Sequence, residues 1–132
     1  MRTVIFAAAA ISLAVAGCTH TGGPYRGNER EEVRLSEMIA GRIAGEPRSC
    51  IAAFDLGRLR ILDRTAVVYE AGDTIWVARP SDPDSLDTRD IVVIERTGGQ
   101  LCKQDFIRTI DRTGHFMTGV IFLGDFVPYR ER

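Results

Sequence analysis

Three cysteines, two histidines and a group of closely spaced aspartates are the residues whose types could do chemistry in this 132-residue chain. A nucleophile–base pair needs Ser, Thr or Cys beside His, yet His115 is the only His after His20, and no Ser stands in a Gly-x-Ser-x-Gly elbow. Between Gly114 and Phe116, His115 reads as the tip of a turn leading into a strand. Cys50 and Cys102 show no Cys-x-x-Cys spacing, and one His cannot complete a zinc shell around them. Asp82, Asp84, Asp87 and Asp90 are the best candidate ligands for a hard cation, which needs several oxygens. The position that an EF-hand reserves for Gly holds Asp87, however, and Val93 replaces its closing Glu, so a solvated loop with Asp-capped turns is expected. Asp105 and Asp111 could serve a hydrolase only if folding brought them together with separated pKa values. No catalytic residue, metal ligand or cofactor is assigned, and the chain reads as a non-enzyme.

The most specific segment lies at the N-terminus. Arg2 precedes an apolar run from Val4 to Val15, which is shorter than the roughly 20 residues a bilayer span needs. Residues 1–17 therefore read as a signal peptide. Its ending, Val15-Ala16-Gly17-Cys18, resembles a bacterial lipobox: small side chains fit the peptidase cleft, and the Cys18 thiol takes a diacylglyceryl thioether. Cleavage then exposes the Cys18 amine to a further acyl chain, such as palmitate. Several chains at about 0.8 kcal/mol per buried methylene give durable anchoring that one chain does not. Thr19 rather than Asp follows the cysteine, which points to the periplasmic face of the outer membrane. Residues 18–28 hold three Gly and one Pro without apolar periodicity and read as a lipidated flexible tether, with His20 solvated in it.

With Cys18 committed to lipid, Cys50 and Cys102 remain, and an oxidising periplasm favours a disulfide between them. Such a bridge would contribute roughly 4 kcal/mol in the chain-entropy picture, a large share for a small domain. The 17 basic residues, all but one of them Arg, are offset by 18 acidic ones, so no electrostatic footprint for nucleic acid exists. Gly22-Gly23 and Gly98-Gly99 lack the strand–glycine loop–helix context of a nucleotide site.

Residues 29–132 read as one globular domain. In Glu29 to Ala44, Leu35, Met38, Ile39 and Ile43 recur at helical spacing, with Asn28 placed to cap and Gly45-Glu46-Pro47 to stop the helix. After Pro47 the pattern becomes short β-type runs: Leu59 to Leu62, Ala66 to Tyr69, Thr74 to Ala78 and Ile91 to Glu95. Gln104 to Asp111 leans towards strand, Val120 to Leu123 is a further apolar run, and Phe126 to Tyr129 closes the domain. The expected fold is mainly β (α+β), with an N-terminal amphipathic helix before an antiparallel curled sheet or small barrel of five to seven short strands.

Tyr69, Trp76, Phe106, Phe116, Phe122, Phe126 and Tyr129 could line a groove, but most fall in strand-like runs, where core packing is expected. Period-two logic sets Trp76 on the opposite face from Ile75 and Val77. Trp76 and Tyr129 are therefore the candidate ligand-binding residues.

The segments GEPRSCI (45–51), RTAVVYEAGDTIWVARP (64–80), SLDTRDIVVIERTGGQLCKQDFI (85–107) and LGDFVPY (123–129) resemble small envelope lipoproteins of alphaproteobacteria, notably of the sphingomonad type. The resemblance implies the compartment and the domain unit, and it carries no activity. The expected function is a lipid-anchored periplasmic binding or structural module. Its partners would be the membrane lipid that holds it and an envelope protein. An accessory or inhibitor-like module offering a strand edge to an envelope enzyme is the alternative.

Overall fold

The computed structural model describes residues 28–96 and 98–132, so the expected signal peptide, the expected lipobox with Cys18 and all of the expected tether but Asn28, His20 included, lie outside the described residues. It begins with helix α1 (Glu29–Met38), whose acidic first turn (Glu29, Glu31, Glu32) suits the positive end of the helix dipole. The helix is shorter than the 29–44 pattern predicts. Gly41 adopts φ +74°, a left-handed conformation that ends helices, and the backbone turns through Arg42 N–H to Ile39 O at 3.1 Å. Ile43 then belongs to strand β1 (Ile43–Ala44), half exposed, rather than to the helical stripe. Asn28 occupies the N-cap position without a side-chain cap bond, and its amide donates instead to Asp63 Oδ2 at 3.2 Å.

The remaining strands are β2 (Cys50–Ala52), β3 (Leu59–Leu62), β4 (Ala66–Ala71), β5 (Thr74–Ala78), β6 (Ile91–Glu95), β7 (Gln100–Cys102), β8 (Phe106–Ile110), β9 (Met117–Ile121) and β10 (Val127–Arg130). The expectation of a mainly β, antiparallel domain behind one helix holds, with no sheet closed into a barrel. Ten strands are described where five to seven were expected, because β1, β2 and β7 are pieces of two or three residues, too short for any periodicity to register.

Three sheets form: a five-stranded one in the order β1-β10-β5-β4-β3, a two-stranded β2-β7 ribbon, and a three-stranded β6-β8-β9 sheet. The five-stranded sheet is covered on both faces. Ala66, Val68, Ile75 and Val77 pack with Leu35 and Met38 of α1 and with Ile39 just after it. On the other face Val67, Tyr69, Ala78 and Trp76 meet Ile51, Leu101, Ile107, Ile121 and Phe126 from the rest of the chain. Double-sided burial is why Ala66 to Tyr69 is apolar at consecutive positions instead of alternating.

Cys50 and Cys102 face each other in the β2-β7 ladder and are joined by a disulfide (S–S 2.05 Å). Gly72, at φ +62°, makes the tight turn between β4 and β5. The loop after β5 is organised by Asp side chains, as expected: Asp82 accepts from Asp84 N–H at 3.2 Å, and Asp87 from Arg89 N–H at 2.9 Å.

Candidate functional site

The three-stranded sheet buries one face and leaves the other open. Val92, Ile94, Ile107 and Ile121 point into the core. Their strand neighbours form the outer face in three rows set by the register. Ile91, Ile110 and Met117 make the first row, and Val93, Arg108 and Val120 the second. Glu95 and Phe106 make the third, extended by Phe122, which follows the Ile121 that pairs with Ile107. Seven of these nine positions are apolar. Met117 and Phe122 are 60% and 65% exposed, Phe106 is 46% exposed, and Val93, Ile110 and Val120 are half-buried by their neighbours. The polar pair in the face is internally matched: Arg108 forms an ion pair with Glu95, and Arg108 Nε is buried without a hydrogen-bond partner.

The face was legible only in part, because Phe-Ile-Arg-Thr-Ile and Met-Thr-Gly-Val-Ile carry apolar residues on both sides of the pleat. Phe106, Phe116 and Phe122 correct the expectation that strand aromatics pack in the core: all three are exposed, whereas Tyr69 and Phe126 are buried as expected. Phe54, 80% exposed with its ring against Gly99, lay outside any strand pattern and gave no signal.

Trp76 and Tyr129 do not share a groove. Trp76 pairs with Tyr69 and Pro128 and is half-buried against the main core. Tyr129 lies opposite Ile75 in the register and packs on the α1 side of the sheet. Asp105 and Asp111 are likewise kept apart, at the two ends of the five-residue β8, on the order of 20 Å. Each carboxylate accepts local backbone N–H groups: Asp105 Oδ2 from Cys102 at 2.7 Å, and Asp111 Oδ1 from Thr113 at 2.9 Å and from Gly114. His115 stands at the hairpin tip with φ +55°.

Asp82, Asp84, Asp87 and Asp90 do converge on an open cleft of about 500 Å³, completed by Thr109 and Thr118. Their oxygens already have local donors: Thr118 Oγ1 donates to Asp90 Oδ2 at 2.5 Å, and Arg89 binds Asp87 through its guanidinium at 2.6 Å. Arg89 holds the Asp87 carboxyl down at about 2, through side-chain hydrogen bonds first and its backbone N–H second. Among the described residues no three His, Cys, Asp or Glu groups are arranged to hold a metal ion.

No protein-family model matches the chain, no curated protein is detectably similar, and no solved structure has a significantly similar fold.

Proposed function

We propose that this chain is a lipid-anchored envelope protein, held at the periplasmic face of the outer membrane through Cys18, whose domain works by binding rather than catalysis. The observation that supports the binding role is the open outer face of the β6-β8-β9 sheet, with seven apolar positions around one ion pair. Burying a Phe or Met side chain is favourable by about 1.5–3 kcal/mol, so a partner covering Phe106, Met117 and Phe122 would draw much of its affinity from them. The anchoring half rests on Val15-Ala16-Gly17-Cys18, and a paired Cys50–Cys102 suits an oxidising compartment.

Photo-crosslinking residues placed in living cells at Phe106 and, for comparison, at the exposed Glu37 of α1 test the binding role. Adducts confined to position 106 are expected. Equal labelling at both positions, or none, rejects the face. Fractionation tests the anchor separately: Cys18→Ser should leave the membrane fraction, and persistent membrane association of that variant rejects the lipobox.

A second reading is favoured by β6 itself. It lies at the edge of its sheet and is Ile-Val-Val-Ile-Glu, with no Pro, Lys or bulge to blunt it. An extended segment of an envelope enzyme could add to that edge by backbone pairing. Replacing Val93 with Pro should abolish such a complex while Phe106→Ala leaves it intact.

A further inference from the structure

The core beneath the β6-β8-β9 sheet is left open along one margin. Ile107 and Ile121, on the inner face, are 2% and 1% exposed, whereas Val92 and Ile94, on the same face of β6, are only partly buried. β6 is the edge of its sheet, and no backbone bond joins its outward N–H and C=O groups to another described residue. Other edges of the fold are blunted: β1 has two residues, β3 carries Arg60 within it, and the chain just beyond β9 pairs with Pro80 and Ser81. From Ile91 to Ile94, β6 carries nothing of the kind.

Opposite charges flank this apolar edge. Asp90 precedes β6 and Arg96 follows it, and the alternation of the strand sets both on the side of Val92 and Ile94. Their bonds agree with that placement. Asp90 Oδ2 accepts from Thr118 Oγ1 at 2.5 Å, and Arg96 donates to the carbonyl of the buried Ala53. Asp90 Oδ1 accepts from no described residue, and Arg96 has no acidic partner among them.

We infer that β6 pairs with β6 of a second copy of this chain, antiparallel about a two-fold axis through Val93. In that register Val93 meets Val93, Val92 meets Ile94, and Asp90 meets Arg96 of the second copy at both ends. Ile91 meets Glu95, which keeps the Arg108 of its own chain. Sliding the copies by one pleat sets Asp90 against Ile94 or Arg96 against Val92, so the flanking charges select the register. Pairing covers Val92 and Ile94, the half-buried margin of the core. Because opposed antiparallel residues share a face, the two open faces come to lie side by side on one sheet of six strands. This rests on the strand-edge reading, with a second copy as the occupant.

The test uses the full chain in isolated membranes under mild oxidation. Directly opposed residues stand about 4.5–5.5 Å apart at Cα, within reach of a disulfide, so Val93→Cys should link to itself. Val120→Cys, on β9 in the same row of the open face, serves as the comparison. A species of twice the chain mass, several-fold more abundant for position 93 than for 120 and above any formed by the unsubstituted chain, is expected. On the Val93→Cys background, Asp90→Arg alone and Arg96→Asp alone place like charges together at both ends and should lose the link. Co-expressing those two chains, or combining both reversals in one, should restore it. Equal linkage at 93 and 120, reversals that change nothing, or a loss that neither mixing nor combining restores overturns the self-pairing. The strand-edge reading fails separately. A chain that does not self-link but loses a complex with a different protein on Val93→Pro overturns only the self-pairing, and one whose complex survives Val93→Pro overturns both.

Discussion

Phe116 lies on Gly114: a Cβ added to that glycine would stand 2.5 Å from the phenyl ring, inside any contact distance. The hairpin tip is thus shaped by what one residue lacks. Asp111 holds the backbone of Thr113 and Gly114 through its carboxylate, His115 takes the left-handed conformation, and the ring folds back across the glycine.

Gly114→Ala is accordingly expected to swing the Phe116 ring off the tip without unfolding the domain, since the ring is mostly exposed. Proton NMR should show the loss of ring-current shifts at residues 113 and 114 with a stability change within about 0.5 kcal/mol. Unchanged shifts would mean that the ring does not rest there in solution.

Two phenylalanines four positions apart should behave oppositely. Phe126 is fully buried in the main core, and Phe126→Ala should cost about 3–5 kcal/mol by chemical denaturation. Phe122 is 65% exposed on the open face, and Phe122→Ala should change stability by no more than about 0.5 kcal/mol. Equal costs would contradict the assignment of inner and outer faces.

Removing the bridge by Cys50→Ser with Cys102→Ser should cost about 2–5 kcal/mol, because it ties two strands that are 52 residues apart in sequence. Mass spectrometry of the purified, non-reduced protein should first find the Cys50–Cys102 peptide pair. Free thiols at both positions would refute the link.

Acid should loosen the loop before β6 late. Asp87 titrates at about 2 in the folded chain against an ordinary value of 3.8, because Arg89 donates to it. A depressed folded-state pKa adds stability above the unfolded value and loses it as pH falls through the folded one. The Asp87–Arg89 contact should therefore persist at pH 4 and fail towards pH 2, followed by carboxyl carbon shifts. Arg89→Gln should return the midpoint towards 3.8.

Much of the architecture was legible. Thr74–Ala78 and Ile91–Glu95 are strands with the expected bounds, since each is a β-branched run closed by turn residues. The helix was overextended because Ile43 continues the helical spacing, and periodicity does not register that Gly41 turns left-handed. The expected cap at Asn28 does not form: its Oδ1 accepts no helix N–H, and its side chain is turned so that Nδ2 donates to Asp63, 35 residues away.

The sequence by itself determined the class of the domain, the helix before an antiparallel β region and the places where Asp, Gly and Pro turn the chain, because these follow from local propensity and spacing. Tertiary structure alone decided which face of each strand is inside. Ile107 and Phe106 are neighbours of similar hydrophobicity, and only the sheet packed beneath them buries one and exposes the other. It also parted Trp76 from Tyr129 across a sheet and Asp105 from Asp111 along a strand, and brought Asn28 to Asp63. Burial and proximity are properties of pairs distant in sequence, fixed by how the sheets stack, so no local pattern encodes them.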